Sequence, residues 1–317
     1  MNQKLIDFIK SLPAGIPYVG PIFSKFLANK STKELIFILH EIKQISSDEK
    51  TEVIEATQIT NEKLEELKLI LEEIIHLSTN KITVIIPTGG DGESLYPITS
   101  VQPKCIIPIG RKPLILHILD NLLLNKDLYH KIIILTRAFS SAIEHTVNRE
   151  PYNELVECIR IDKNIPTALL ELKNKIVGNP FLVHYNDILI KEINWNDVIS
   201  YFNFQKVQQK IIAMFLISKY YPLGIGLVKE GPEGLVEEFV EKPKLLNDSF
   251  ANMGVFLLDK EFFEYIDEND NDIFKHTIPK VMNAKRHIGM FKVREWHHIH
   301  NLNDFRMIQK QTKTKEF

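Results

Sequence analysis

Apolar residues along this chain fall into two regimes that meet near Ile82. Before it, glycine is scarce, and leucine and isoleucine recur at steps of three and four between charged residues, the period of amphipathic helices. Leu5, Ile6, Phe8, Ile9 and Leu12 make one such face, closed by Pro13 and Gly15. Ser31 with Glu34, and Ser46 with Glu49, have the spacing of capping boxes; Ile36, Phe37, Leu39 and Ile42 give the buried side of the helix between them. Leu64, Leu67, Leu71 and Ile74 continue the pattern, but over about two heptads where a coiled-coil seam needs at least about three to four. Residues 1–80 are therefore expected to form a small helical bundle.

From Ile82 the period changes. Ile82, Val84, Ile85 and Ile86 form a β-branched run cut off by Pro87, as in a parallel strand covered on both faces. Helical spacing over Leu114 to Leu124 followed by a second β-branched run, Lys131 to Leu135, predicts a βαβ unit with a right-handed crossover. A helix over 138–149 and strands at Val156 to Ile161, Phe181 to Asp187 and Ile211 to Ile217 continue the alternation. Glu230-Gly231-Pro232-Glu233-Gly234 marks a hairpin, with Val236 to Val240 after it. The expectation is an α/β three-layer domain over 81–317, with a mixed, mainly parallel sheet and ligands at its carboxyl edge.

Size and composition agree with this division. With 317 residues, 44% hydrophobic and 25% charged, the chain can bury one large core and a smaller one. A net charge of -2 and a pI near 6.6 argue against a general nucleic-acid binder. Two cysteines, Cys105 and Cys158, are too few for a disulfide framework or a zinc site, which points to a reducing cytoplasm. Cys105 is read as a small packed residue before a reactive thiol. No run approaches the roughly 20 apolar residues of a membrane span. Lys10 interrupts the first apolar run, so no signal peptide is expected. The punctuated apolar stretch Ile16 to Phe26 is read as packing first, a partner surface second, and membrane contact last.

Chemistry concentrates after the first strand, where Gly89-Gly90-Asp91-Gly92 places three glycines in four residues. Such a loop can take positive φ and let successive N–H groups approach an anion. It is not a P-loop, because Glu93-Ser94 stands where Lys and Ser/Thr are needed, nor a dinucleotide fingerprint, because Leu95 occupies the third glycine position. The residues beyond the loop are more specific: Leu95-Tyr96-Pro97-Ile98-Thr99, then Pro103-Lys104, Ile107-Pro108-Ile109 and Lys112-Pro113-Leu114. In order and spacing this resembles the sugar-1-phosphate nucleotidyltransferases, whose pattern is G-G-x-G-T-R-L-x-P-L-T, P-K, a hydrophobic-proline step and K-P.

The resemblance implies a Rossmann-like nucleotidyltransferase fold and assigns residues to roles. Gly89, Gly90, Gly92 and Thr167 would face the nucleotide, Thr167 within Ile165-Pro166-Thr167-Ala168, which stands where the family has G-T-A. Phe181 to Asp187 would end its strand in the family's metal-holding aspartate, with Asn186 in place of a glycine. Glu241-Lys242-Pro243 matches E-K-P, making Lys104 and Lys242 phosphate clamps, and Asn252 to Phe256 resembles N-A-G-I-Y; Gly224, Glu241 and Asn252 would contact the sugar. In Glu295-Trp296-His297-His298-Ile299-His300 the second metal aspartate is replaced by His298. The implied catalytic set is Lys104, Asp187 and Lys242, with Asp187 and His298 holding Mg2+ or Mn2+. Neighbouring strand residues point to opposite faces, so His298 and His300, but not His297, can share one with Asp187, and a transition-metal site is the competing reading.

The implied reaction is transfer of a nucleoside monophosphate from a triphosphate to a sugar-1-phosphate, with release of pyrophosphate. Two departures weaken it in the same direction. The arginine the family sets against the triphosphate is Ser94 here, with Glu93 in place of threonine, and losing one such donor costs roughly 3 kcal/mol, about a hundredfold in rate. An imidazole in place of a carboxylate lowers magnesium affinity; Asp91 or Glu93 would be substitute acidic ligands. The alternative is a protein that binds nucleotide or sugar nucleotide without turnover and signals through the helical segment, which is also expected to mediate self-association or partner docking.

Overall fold

The structure is a computed structural model that describes residues 80–314 apart from 91, 153, 220–226 and 242–249. The helical bundle expected over 1–80 lies, but for Asn80, outside the described residues, as do Asp91, Gly224 and Lys242. The chain divides into two compact units, Met1–Asn80 with Asn196–Ile211, and Lys81–Trp195 with Ile212–Phe317. Among the described residues the first contains the helical segment 196–209. The second unit carries the sheet and the glycine loop.

Its sheet has nine strands among the described residues. In chain order these are β1 (Ile82–Pro87), β2 (Tyr129–Thr136), β3 (Val156–Arg160), β4 (Phe181–His184), β6 (Ile211–Ser218), β7 (Leu227–Glu230), β8 (Val236–Val240), β9 (Phe250–Leu258) and β10 (His287–Lys292). A separate antiparallel pair is formed by β5 (Ile188–Ile190) and β11 (Trp296–His298). The main path runs β8-β7-β9-β4-β1-β2-β3, with β6 pairing β9 and β10. The four strands β4, β1, β2 and β3 are parallel, with Ile85 between Ile133 and Val183, and the β9 side is antiparallel. The sheet is thus mixed, and its parallel half supplies the carboxyl edge at which the sequence places the ligand.

The helices are α1 (Leu114–Leu123), α2 (Ser140–Asn148), α3 (Ile165–Leu172), α4 (Trp195–Gln209), α5 (Ile278–Asn283) and α6 (Leu302–Thr314). The first two fall where apolar spacing predicts them; the pattern sets no expectation for α4 or α6. All six residues of β1 are buried, which explains its unbroken apolar run. The one hydroxyl among them, on Thr83, donates to the Val177 carbonyl at 2.8 Å and accepts from the Val177 amide at 2.9 Å. A buried polar group is tolerated when bonded in this way. The core between β4, β6 and β9 is aromatic: Phe274 packs edge-on against Phe256 at 5.3 Å and Phe215 at 5.9 Å. Edge-to-face contacts of this kind give a fixed geometry beyond simple area burial, and Tyr185, just past β4, joins them at 5.9 Å from Phe256.

Candidate active site

Four parallel strands end side by side, and the residues just beyond them surround a cleft of about 640 Å3. Thr88 leaves β1 with its amide and hydroxyl both donating to the Leu135 carbonyl, at 2.8 and 2.7 Å, so the start of the glycine loop is tied to the end of β2. The three glycines then meet different needs. Gly92 has φ +66°, and a Cβ there would lie 2.8 Å from Thr99 Cγ2. A Cβ on Gly89 would lie 2.4 Å from Arg137 Cδ. Gly90 has open space on that side, with no heavy atom within 4 Å. Only Gly90 therefore leaves room for a ligand against the backbone, while the other two permit local packing.

Asp187 enters from the end of β4, on a segment fixed at three points. The Tyr185 amide donates to the Gly254 carbonyl at 3.0 Å, the Asn186 carboxamide donates to the Pro87 carbonyl, and the Ile299 amide donates to the Asp187 carbonyl at 2.9 Å. Asn186 replaces the glycine of the family pattern and acts here as a tie between β1 and β4. Asp187 Oδ2 accepts from Lys104 Nζ at 2.8 Å and lies 3.5 Å from His298 Nε2. Burial pushes the Asp187 carboxyl up, but the Lys104 ammonium, with His298, outweighs it and holds the group well below the usual carboxylate range.

His298 reaches this point because β11 pairs antiparallel with β5, His298 opposite Ile188. Alternate residues share a face, as the sequence pattern predicts: the Trp296 and His298 rings lie 6.1 Å apart, and His298 and His300 5.2 Å. His300 borders the cleft, and burial, then the neighbouring His298 and Lys104, lower its pKa. Ser94 Oγ donates to the His300 carbonyl, so the residue in the family's arginine position ties the glycine loop to the far wall.

Of the expected site residues, the structure brings Gly89, Gly90, Gly92, Lys104 and Asp187 into one cleft, with His298 behind Asp187. Thr167 borders an adjoining cavity, its hydroxyl donating to Asn164 Oδ1 at 2.8 Å as part of the cap of α3. Asn252 is buried in β9 and its carboxamide oxygen accepts from the Gly254 amide at 3.1 Å. Glu241 comes directly after β8, near enough to Tyr185 to help raise its phenol pKa, after burial and two aspartates. Residues that the sequence pattern does not single out are Arg137, Lys163, Asn164, Tyr185 and Asn271. A usable signal existed for the first: Arg137 directly succeeds a strand with parallel neighbours, the same position logic that selects Asp187.

The sequence motifs imply a divalent metal, so the donor set bears on which ion the chain can hold. Among the described residues, Asp187 is one carboxylate with an oxygen already accepting from an ammonium, and His298 adds one imidazole; no three His, Cys, Asp or Glu side chains converge. Magnesium and manganese favour several oxygen ligands. Among the described residues this set is not by itself a closed site for either ion; Asp187, with His298 beside it, would hold one together with substrate phosphates and water, and the ion would offset the phosphate charge.

The comparisons with known proteins agree with the geometry. The chain is 27% identical over 236 residues to a probable mannose-1-phosphate guanylyltransferase 2 from Arabidopsis thaliana, covering 70% of this chain and 62% of that one. It is 29% identical over 187 residues to the bifunctional protein GlmU of Methanococcus maripaludis, covering 58% and 41%. The chain thus spans less than two thirds of the length of either relative. Among solved structures, a putative glucose-1-phosphate thymidylyltransferase from Bacillus anthracis superposes with TM-score 0.60 at 21% identity, over 74% of this chain and 96% of that one. A UDP-glucose pyrophosphorylase in complex with UDP-glucose gives 0.59 at 18%, over 74% and 100%. The family model for nucleotidyl transferases matches residues 83–315, a span that contains every strand end bordering the cleft, and the chain belongs to that family.

Proposed function

We propose that the chain transfers a nucleoside monophosphate from a nucleoside triphosphate to a sugar-1-phosphate. The observation that carries this is the convergence of the glycine loop, Lys104 and Asp187 in one cleft at the carboxyl end of parallel strands. In the reaction a phosphate oxygen of the sugar phosphate attacks the α-phosphorus, the bond to the bridging β-phosphate oxygen breaks, and pyrophosphate leaves. Such chemistry asks the protein mainly for alignment and for charge against the phosphates. The open side of Gly90 lets an oligophosphate lie against the backbone. Lys104 is placed to exchange its carboxylate partner for a phosphate oxygen, and Asp187 holds the ammonium in position until then. Tyr185, Asn164 and Asn271 shape the remaining wall; Asn164 Nδ2 donates to Asn271 Oδ1 at 3.2 Å.

Pyrophosphate release from a panel of nucleoside triphosphates and sugar-1-phosphates tests the proposal, with Mg2+ and then Mn2+ in the buffer. Release that falls by about a hundredfold or more in Asp187→Ala supports it. Binding by calorimetry with no release on any substrate pair would replace it with a nucleotide-binding protein that has lost turnover. The closed Lys104–Asp187 pair and the imidazole in the second aspartate's place favour that second reading. For residues 1–80 the helical spacing supports a role in self-association or partner docking; light scattering that gives the same stoichiometry with and without them would exclude self-association. The free thiols of Cys105 and Cys158 support a reducing, cytoplasmic setting. Among the described residues no helix is long and apolar enough to cross a membrane.

A further inference from the structure

We propose that Arg137 is the residue that binds the oligophosphate end of the nucleotide, taking the terminal phosphates of the triphosphate and the departing pyrophosphate. The proposal rests on the nucleotidyl-transfer reading and adds to it a cation that neither the motifs nor the comparisons assign.

Among the described residues, four cationic side chains rim the cleft and its adjoining cavities. Three of them face carboxylates: Lys104 pairs with Asp187, Arg160 with Asp162 at 3.1 Å, and Lys163 with Glu171. Arg137, among the described residues, bonds instead to an uncharged group, its Nη1 donating to the Gly89 carbonyl at 3.4 Å. Of these four charges, it is the one that no described carboxylate offsets. The side chain is exposed and borders all three cavities, so the guanidinium stands at their junction rather than in a structural pair.

The local backbone is built to hold it there. Arg137 directly succeeds β2, whose end is bonded to Thr88 at the start of the glycine loop. Its stem lies over Gly89 so closely that a methyl group on that residue would collide with Cδ and Cγ, at 2.4 and 2.7 Å. Two residues on, Phe139 sits at φ 60°, ψ 25°, a left-handed conformation that side chains rarely adopt, and turns the chain into α2. Meanwhile Ser94 offers no charge and its hydroxyl is committed to the His300 carbonyl. A planar guanidinium that borders the same cavities as the open backbone of Gly90 suits a phosphate group, which it can meet with two parallel hydrogen bonds.

Calorimetric titration of the full chain with inorganic tripolyphosphate, and then with each nucleoside triphosphate, tests this on wild type, Arg137→Gln, Arg137→Lys, Gly89→Ala and Lys104→Gln. Arg137→Gln is expected to weaken tripolyphosphate binding about tenfold to a hundredfold, and Arg137→Lys to recover part of the loss. Gly89→Ala keeps the charge but must displace the stem, so it should weaken binding similarly, and it serves as the test if Arg137→Gln does not fold. Wild-type affinity in Arg137→Gln, or in Gly89→Ala and Arg137→Lys together, with a clear loss in Lys104→Gln, would overturn the assignment and leave the nucleotidyl-transfer reading intact. A wild-type chain that binds neither tripolyphosphate nor any nucleoside triphosphate would overturn that reading and this proposal with it.

Discussion

Replacing Lys104 and Asp187 singly and together measures the contact on which the site turns. At 2.8 Å and an effective dielectric constant of about 20, the gross attraction between the two charges is about 6 kcal/mol. The side chains are 13% and 22% exposed, so desolvation offsets much of this but solvent screening does not remove it. A net coupling of about 1–3 kcal/mol is expected, between the values for surface and fully buried pairs. The single variants should differ. Asp187→Ala leaves a largely buried ammonium without its carboxylate, whereas Lys104→Met leaves Asp187 with His298 still 3.5 Å away, so Asp187→Ala should be the more destabilising. Urea unfolding of the four proteins at pH 7.5 closes the cycle. The Asp187 carboxyl is held low, so the coupling contributes fully at neutral pH and fades only in strong acid, below the ordinary carboxylate value of 3.8. Additivity of the two substitutions within about 0.5 kcal/mol would refute the argument.

Three other outcomes are expected of the same structure. His184 is buried, with Nδ1 2.9 Å from the Tyr185 carbonyl, and burial lowers its pKa from 6.5 to about 4. The unfolded chain therefore takes up the proton first: this contribution to stability is whole above pH 6.5, is lost as pH falls toward 4, and amounts to about 3 kcal/mol. Urea midpoints at pH 7.5 and 5 should show the loss, and an equal loss in His184→Asn would assign it elsewhere. Gly92→Ala should cost about 1–3 kcal/mol through its positive φ and the approach of Thr99, whereas Gly90→Ala should stay within about 0.5 kcal/mol; equal urea midpoints for the two would contradict the distinction drawn between the glycines. Burial pushes the Cys105 thiol up to about 12, so it should resist a thiol reagent in the native protein and react once urea unfolds it; rapid native reaction at Cys105 would show that the thiol is not buried as described.

Much of the fold was legible in the residues because strand burial and motif spacing are local properties. The β-branched run of β1, the glycines behind it and the aspartate beyond β4 can each be read within a window of about ten residues, since a period of two or 3.6 repeats inside it. The same holds for His298 and His300 sharing a face. No such window identifies α6: its pattern sets no clear expectation, yet Gln309 reaches back to donate to the Pro108 carbonyl. The aromatic contacts that fix Tyr185 likewise join β4, β9 and the segment before α5.

What the sequence by itself determined is the identity and order of the chemical parts: a glycine loop, a lysine after proline, an aspartate at a strand end, and histidines on alternate positions. Which parts meet was decided by the tertiary structure. Lys104 and Asp187 are 83 residues apart, Ser94 and His300 206, and Arg137 and Gly89 48. Each contact depends on the parallel register that sets β1 between β2 and β4, and on the antiparallel pairing of β11 with β5. Side-chain period says which face a residue takes, but not which strand end will lie beside it. For that reason Lys104 and Asp187 could each be picked out as site residues from the motifs they lie in, while their pairing with each other and the arginine over the glycine loop emerged only once the strands were in place.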